Sequence, residues 1–239
     1  MPTESGQLGQ HISRQFNEDL EHLRQRVLAM GGLVEEQIAD AVTALITFDT
    51  DAAQAVITRD NQVDAFEVEI DDQCTKTLAK RQPTAGDLRL IVAIMKTITD
   101  LERMGDEAEK IARMAVHISE NSDPTRPVKQ HYGAISHFGD HVRQTLRAAL
   151  DAFARLDVNS ATKAARDERQ SDAEYDAIAR QVLTYMFENP RNISPGLDVM
   201  WSARALERIG DHTRNICEYV VYMVQGKDVR HAASDEDKV

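Results

Sequence analysis

The residues best suited to chemistry in this sequence are two pairs of carboxylates, Glu102 with Asp106 and Glu207 with Asp211. The members of each pair are four positions apart in a segment with helical periodicity, so both side chains project from one helix face. Glu102 and Asp106 continue an apolar stripe that begins at Leu88, and they therefore lean towards the core. Like charges at this spacing repel each other, more strongly when partly buried. A divalent cation bound by the carboxylate oxygens would relieve that repulsion.

Two carboxylates are too few ligands for a hard cation, so a second helix must contribute. The preceding predicted helix carries an acidic stripe formed by Asp60, Asp64, Glu67 and Asp71. In the second half, Glu168 and Asp172 match the first two members of this stripe, and Asp176 is a substitute further along. If both halves bind metal, we expect unequal sites. The stripe is equally consistent with the solvated side of an amphipathic helix.

Both halves also share a glycine within the pattern Glu-x-x-Gly-Asp. A glycine inside a helix costs about 1 kcal/mol relative to alanine, so its repetition indicates close approach by another helix or a ligand. The alternative to metal binding is that the acids lie on a solvated helix face and form local salt bridges, for example between Asp106 and Lys110. The second half has Asn215 at the position of Lys110, so the halves share the acids but not that ion pair.

Other kinds of site find little support in the sequence. No His lies three residues after a Glu, as a di-iron bundle requires, and no glycine-rich phosphate loop, Gly-x-Ser-x-Gly or His-Glu-x-x-His motif occurs. His212 directly follows an acid and points about 100° away from it, which favours a surface or supporting role. Trp201 and Met200 are expected to lie in the core or in a subunit contact. Cys74 and Cys217 are expected to be buried thiols.

Long helices are the elements that must position these residues. Only 11 Gly, 6 Pro and 5% aromatic residues favour helices over a sheet. Apolar residues recur at helical spacing in six segments, at about 12–45, 51–81, 84–118, 128–156, 159–188 and 194–225. The segment from Asn121 to Pro127 contains two prolines and is the clearest linker signal.

The second half of the chain repeats the first. The segment LERMGD at 101–106 returns as LERIGD 105 positions later, and other matches keep an offset of 107 or 108. We therefore predict an all-α fold of two tandem three-helix bundles related by internal duplication. The predicted domains are residues 1–120 and 128–228, followed by a polar tail at 229–239 that is expected to be disordered.

Composition excludes several classes of protein. The 239 residues include 28 Lys and Arg against 40 Asp and Glu, a formal charge of −12. Nucleic acid is therefore a poor partner, because binding a phosphate backbone needs a basic surface. We find neither a signal peptide nor an apolar run long enough to span a membrane, and the two distant cysteines suit a reducing cytosol.

Several segments together form a specific set, namely ISRQFN at 12–17, MGGLVE at 30–35, RQPTA at 81–85, DLR at 87–89, KTITDLER at 96–103, AFAR at 152–155 and both LER-x-GD motifs. With this set the chain resembles the PhoU family, the bacterial accessory regulators of phosphate transport. The resemblance extends from about residue 10 to 231.

The resemblance implies a cytoplasmic, non-enzymatic and often dimeric protein without membrane insertion, which represses phosphate uptake and phosphate-starvation genes when phosphate is ample. It implies two protein partners, the ATPase subunit of the phosphate ABC transporter and a sensor histidine kinase. It also implies iron, zinc, manganese or magnesium ions bound through E(D)xxxD motifs. The matching pairs are Glu102 with Asp106, Glu207 with Asp211, Glu67 with Asp71, and, out of register with the first half, Asp172 with Asp176.

On these grounds we expect carboxylate-bound metal to brace the second and third helices of each half and so to fix the surfaces that meet the partners. Two other classes of function stay open. One is a metal-dependent helical-bundle enzyme, such as a phosphatase. The other is a passive helical scaffold whose acids are merely solvated.

Overall fold

Helices make up almost all of the computed structural model, which describes residues 4–80, 83–121 and 129–229. They are α1 (Glu4–Thr47), α2 (Thr50–Lys80), α3 (Ala85–Asn121), α4 (Lys129–Arg155), α5 (Val158–Glu168), α6 (Gln170–Glu188), a one-turn 3₁₀ helix (Pro190–Asn192) and α7 (Ile193–Gln225). No strand occurs in the described ranges, which confirms the all-α prediction. None of the helices in those ranges combines the length and apolar character needed to cross a bilayer.

Two details differ from the sequence expectation. The single helix predicted for 159–188 is divided into α5 and α6, because the Arg169 N–H donates to the Asp167 carbonyl and interrupts the helical hydrogen-bond pattern. Its counterpart α2 is continuous over 31 residues. The predicted linker, apart from its first residue, and the predicted tail from residue 230 onward lie outside the described residues.

The internal duplication is visible in the backbone where α1 and α4 end. Phe48 and Leu156 both adopt positive φ angles, of 60° and 53°, and each reverses the chain direction between two helices. Each is followed by an aspartate, Asp49 or Asp157, whose carboxylate accepts hydrogen bonds from backbone N–H groups in the first turn of the next helix. The same turn therefore joins the first and second helices of both three-helix units.

The two units share one apolar core. The first unit packs α1, α2 and α3 together, the second packs α4, α5, α6 and α7, and the units meet through α1 with α4 and α3 with α7. Gly31 permits close packing of α1 on α4, because a β-carbon there would lie 2.7 Å from Leu150 Cδ1. Cys74 and Cys217 are buried in this core as expected, and burial raises the pKa of each thiol to about 12.

Candidate functional site

The acid pair of the first unit lies where α3 faces α2. Glu102 and Asp106 are both partly buried. Burial raises the pKa of Glu102 above its ordinary value, because the charged form loses solvent. The negative charges of three neighbours raise it further, namely Asp106 on α3 and Glu67 and Asp64 on α2. Carboxylates from two helices therefore repel one another across this contact.

The most buried carboxylate of this group is Asp60 on α2, a member of the acidic stripe that lies outside the predicted metal-binding pairs. Its Oδ1 accepts a hydrogen bond from Gln37 Nε2 of α1 at 2.7 Å. Burial raises the pKa of Asp60, and the hydrogen bond from Gln37 opposes that shift. Gln37 is itself fully buried, and its Oε1 has no hydrogen-bond partner among the described residues. The polar contact between α1, α2 and α3 is thus incompletely satisfied.

The shared glycine provides the space for this buried carboxylate. A β-carbon at Gly105 would lie 2.8 Å from Asp60 Oδ1, well inside van der Waals contact. The second unit repeats the arrangement, because a β-carbon at Gly210 would lie 2.8 Å from Glu168 Oε1. The expectation that another helix approaches each glycine is confirmed, and the approaching group is an acidic side chain in both units.

The acid pair of the second unit lies on α7, where it faces α5 and α6. Glu207 is 8% exposed and Glu168 only 1% exposed. Burial is the main reason that the pKa of Glu168 rises to about 7, and the charges of Asp211, Asp172 and Glu207 add to the rise. Burial also raises the pKa of Glu207, whose Oε2 has no hydrogen-bond partner in the described part of the chain.

Arginines distinguish this second group of acids from the first. Arg214 contacts Glu168 Oε2 at 3.3 Å and Asp211 Oδ1 at 2.7 Å. Arg204 contacts Glu207 Oε1 at 2.7 Å. In the first unit the counterpart of Arg214, 105 positions earlier, is the acid Glu109.

Within the described residues, Asp60, Glu102 and Asp106 form no ion pair. The two groups of acids therefore differ in charge, chiefly because of the arginines on α7.

Two of the predicted site residues lie apart from these groups. Asp71 is exposed and lines a cleft of about 510 Å³ that also includes Lys96, Asp100 and Tyr219. Asp176 is exposed on α6 and is not among the charges that shift the pKa of Glu168. The structure thus brings together six of the eight predicted residues, in two groups consisting of Glu67, Glu102 and Asp106, and of Asp172, Glu207 and Asp211.

The donor atoms of both groups suit a hard cation, which prefers carboxylate oxygens. The unpartnered oxygens of Glu207 and Gln37 and the mutual repulsion of the acids are consistent with such a ligand. In the part of the chain that the structure describes, however, no three Asp, Glu, His or Cys side chains converge closely enough to hold a metal ion. The residue types therefore fit a metal, whereas the side-chain positions are not those of a closed coordination sphere.

The side of α3 that packs against α7 carries a polar contact. Lys110 pairs with Glu107 at 2.9 Å rather than with the acid pair, so the local salt bridge considered for Asp106 does not form. Glu107 also pairs with Arg208 of α7 at 3.3 Å. His212 Nδ1 lies 2.7 Å from Asp100 Oδ1, which places this histidine in the contact between the units. These residues join the two acid-bearing helices.

Several large apolar side chains of α6 and α7 are exposed. Phe187 is 87% exposed and Trp201 is 63% exposed, so the tryptophan does not belong to the core. The set, here called the apolar face, consists of Leu183, Phe187, Ile193, Leu197 and Trp201. Exposed apolar patches of this kind commonly mark sites of protein contact.

Comparison with known proteins identifies one family. The family model described as the PhoU domain matches residues 27–115 and 135–220. A relative from Pseudomonas putida, named phosphate-specific transport system accessory protein PhoU homolog, is 52% identical over 224 residues, which cover 94% of this chain and 86% of the relative. The accessory protein PhoU of Escherichia coli strain K12 is 46% identical, over 96% of this chain and 93% of its own.

Two solved structures share the fold. The crystal structure of PhoU from Pseudomonas aeruginosa superposes with a TM-score of 0.83 at 48% identity, covering 89% of this chain and all of that one. The phosphate transport system regulatory protein PhoU from Streptococcus pneumoniae superposes with a TM-score of 0.81 at 28% identity, covering 90% and 99%.

Proposed function

Because this chain belongs to the PhoU family, we propose that it is a non-enzymatic regulator that acts by binding the proteins of a phosphate transport system. In this proposal it restrains phosphate uptake and keeps the phosphate-starvation response off when phosphate is ample. It does so in the cytoplasm, by coupling the ATPase subunit of the phosphate ABC transporter to a sensor histidine kinase. The names of its relatives support the role in phosphate transport.

The observation that carries the mechanism is the duplicated Glu-x-x-Gly-Asp segment with a buried carboxylate seated against each glycine. We propose that a metal ion, of iron, zinc, manganese or magnesium, neutralises these acids and braces the helices that carry them. The all-oxygen donor set favours manganese or magnesium within that group.

The residues proposed to bind are Glu67, Glu102, Asp106, Asp172, Glu207 and Asp211. The bound ion would supply positive charge, and these side chains would fix the orientation of α2 against α3 and of α5 and α6 against α7.

Docking requires a surface, and the apolar face on α6 and α7 is the described surface best suited to it. Large exposed aromatic side chains are frequent anchors of protein interfaces. We propose that Phe187 and Trp201 supply such anchors. Self-association through the same face is the homodimer that the family resemblance implies.

Deletion of the gene tests the regulatory assignment. A phosphate-starvation reporter should become active in the deletion strain at high phosphate, and the wild-type gene should silence it again. The Glu102→Ala/Asp106→Ala variant should restore silence poorly. A reporter that stays silent in the deletion strain at high phosphate would contradict the regulatory role.

Metal analysis tests the proposed site. Protein purified without chelator should contain bound metal, and the Glu102→Ala/Asp106→Ala variant should contain less. The matched control is Glu36→Ala/Asp40→Ala, which removes two acids of the same spacing on α1 that lie close to Arg59 instead. Equal metal content in wild type and both variants would exclude the site.

The alternative classes predict other results. A metal-dependent phosphatase would hydrolyse phosphate monoesters when Mn²⁺ is added, and we expect no such turnover. A passive scaffold would bind its partners unchanged when Glu102, Asp106, Glu207 and Asp211 are all replaced by alanine.

A further inference from the structure

A row of charged side chains on α3 follows its contact with α7. The members recur at intervals of three or four positions, which places them on one side of the helix, and they are Lys96, Asp100, Arg103, Glu107 and Lys110. Two contacts show that this side borders α7. The Lys96 ammonium lies 5.5 Å from the centre of the Tyr219 ring, and Glu107 pairs with Arg208 at 3.3 Å. Arg103 lies between these contacts along α3 and therefore borders α7 as well.

Burial separates the charges of this row. Its two acids, Asp100 and Glu107, are each only 6% exposed. Lys96, at one end of the row, shares a cleft with the exposed Asp71. The remaining cations of the row are exposed, as is the arginine opposite them on α7, and this set, here called the basic seam, consists of Arg103, Lys110 and Arg208. The charge that the seam presents to solvent is therefore positive.

The buried acids do not neutralise the basic seam. Lys110 Nζ at 2.9 Å and Arg208 Nη1 at 3.3 Å contact the same atom, Oε1 of Glu107, so two positive charges share one negative charge. Arg103 forms no ion pair within the described ranges. The other acid of the row, Asp100, lies within hydrogen-bond distance of two side chains of α7. An excess of positive charge is left at the surface.

Two glutamates flank the seam without pairing with it. Glu102 and Glu207 directly precede Arg103 and Arg208 in the chain, and they belong to the acid pairs that face α2 and that face α5 and α6. Each arginine opposes the rise that burial causes in the pKa of the glutamate before it. The glutamates thus reduce the positive potential of the seam from a distance, and the guanidinium groups keep donors available for another carboxylate.

The internal duplication separates the two arginines from their neighbours. Arg103 and Arg208 occupy the same position of the repeated LER-x-GD segment, 105 positions apart. Glu107, which pairs with Arg208, has His212 at its equivalent position. The exposed arginine is therefore common to both units, whereas the ion pair is not. A shared structural ion pair does not explain why both units carry an arginine here.

We infer that the basic seam binds an acidic segment on the surface of a partner protein. A guanidinium group binds a carboxylate through two parallel hydrogen bonds, and arginines are frequent anchors of protein interfaces. Trp201 of the apolar face lies seven positions before Arg208 on the same side of α7, so a single partner can contact both. The formal charge of −12 disfavours the extended anionic surfaces of nucleic acids and membranes, whereas a short acidic segment needs only a local cluster of cations.

Peptide binding by the full chain tests this inference. Fluorescein-labelled decaglutamate is titrated with the wild-type protein at low salt, and fluorescence anisotropy gives the affinity. The Arg103→Gln/Arg208→Gln variant should bind the peptide about tenfold more weakly. Arg180→Gln is the matched control, because Arg180 is an exposed arginine of α6, and this variant should bind as the wild type does. Absence of binding by the wild type, or equal weakening by Arg180→Gln, would overturn the inference.

Further variants show whether the seam itself binds the peptide. Lys110→Gln leaves both arginines in place and should also weaken binding, whereas Arg103→Lys/Arg208→Lys keeps the charges and should retain most of it. The urea unfolding midpoints of all variants should match that of the wild type, because the replaced side chains are exposed. Phosphatidylglycerol vesicles that displace the peptide, or self-association that Arg103→Gln/Arg208→Gln abolishes, would overturn the assignment of an acidic partner protein.

This inference rests on the proposed function in one respect, namely that the protein acts by binding other proteins. The two can fail separately. The reporter in the gene-deletion strain measures regulation whichever surface the protein uses. An active reporter in that strain, together with unchanged peptide binding by Arg103→Gln/Arg208→Gln, would contradict the role of the basic seam alone.

Discussion

Asp60 Oδ1 lies 2.8 Å from the position that a β-carbon of residue 105 would occupy, so the carboxylate of α2 fills the space left by Gly105 on α3. Glu168 and Gly210 repeat this relationship in the second unit at the same distance. In both units, therefore, a helix glycine admits a buried acid beside an acid pair. The charge of that acid must be neutralised by a proton, an arginine or a cation.

Replacing either glycine should destabilise the protein. Gly105→Ala and Gly210→Ala each force a methyl group against a buried carboxylate, and we expect losses of about 1–3 kcal/mol in the free energy of unfolding. Gly32→Ala is the control, because apart from the nearby backbone of α1 no described atom lies within 4 Å of its β-carbon position, and alanine should stabilise α1 by up to about 1 kcal/mol. Urea unfolding measures the free energy of unfolding of all three variants. Similar changes for Gly32 and Gly105 would show that the space beside Gly105 is not restrictive.

Stability should fall as pH rises from about 4.5 to 7 because of Glu168. Burial raises the pKa of Glu168 from 4.5 to about 7 in the folded chain, so the folded state binds the proton more tightly than the unfolded state. This contribution is complete below pH 4.5 and is lost as pH rises through 7. Glu168→Gln should remove it and should raise stability at pH 8 by roughly 3 kcal/mol.

The measurement is urea unfolding of chelator-treated protein across this pH range. Asp167→Asn, a change of the exposed neighbouring acid, is the control and should keep the wild-type pH dependence. If the free energy of unfolding of Glu168→Gln changed with pH as steeply as that of the wild type, Glu168 would be ionised over the whole pH range.

The first unit should bind divalent cations more tightly than the second. Arg204 and Arg214 already neutralise the acids around Glu207, whereas the acids around Glu102 have no ion-pair partner in the described part of the chain. Added Mn²⁺ should raise the Tm of the wild type, and Glu102→Ala/Asp106→Ala should remove most of that rise.

Glu207→Ala/Asp211→Ala is the matched comparison for this prediction and should remove less of the rise in Tm. Differential scanning calorimetry with and without Mn²⁺ measures the effect. If Glu207→Ala/Asp211→Ala removed more of the rise in Tm than Glu102→Ala/Asp106→Ala, the arginines of the second unit would not substitute for a cation.

The apolar face should affect binding and leave folding unchanged. Phe187→Ala and Trp201→Ala remove exposed side chains, so stability should change by less than about 0.5 kcal/mol. Each should weaken binding to the purified transporter ATPase about tenfold or more if it anchors the interface.

Surface plasmon resonance measures that affinity, and light scattering of the eluted protein reports any loss of self-association. Val68→Ala, at a single valine that is 69% exposed on α2, is the control. Unchanged affinity and oligomeric state in both aromatic variants would exclude the face as a contact.

Much of the fold follows from local patterns, whereas the site follows from them only in part. The periodicity located the long helices, and the i, i+4 spacing correctly placed Glu102 and Asp106 on an inward side of α3. The acids that α2 contributes were harder to predict, because all members of an acidic stripe look alike until the neighbouring helix is placed. Asp71 lines a cleft together with Lys96, whereas the carboxylate of Asp60 occupies the space beside Gly105. Two features of the sequence point to Asp60. It occupies the position equivalent to Glu168 in the duplicated half, and both halves share the glycine.

Helix periodicity, capping residues and side-chain spacing are properties of neighbouring positions, so the amino-acid sequence is sufficient to identify a duplicated helical chain of the PhoU family with two acid pairs. Which carboxylates meet, which are buried and which are neutralised depends on the packing of the helices. Arg214 lies beside Glu168, 46 positions earlier, and Gln37 beside Asp60, 23 positions later. Such contacts depend on how whole helices pack, and desolvation at those contacts controls the charge of the candidate site.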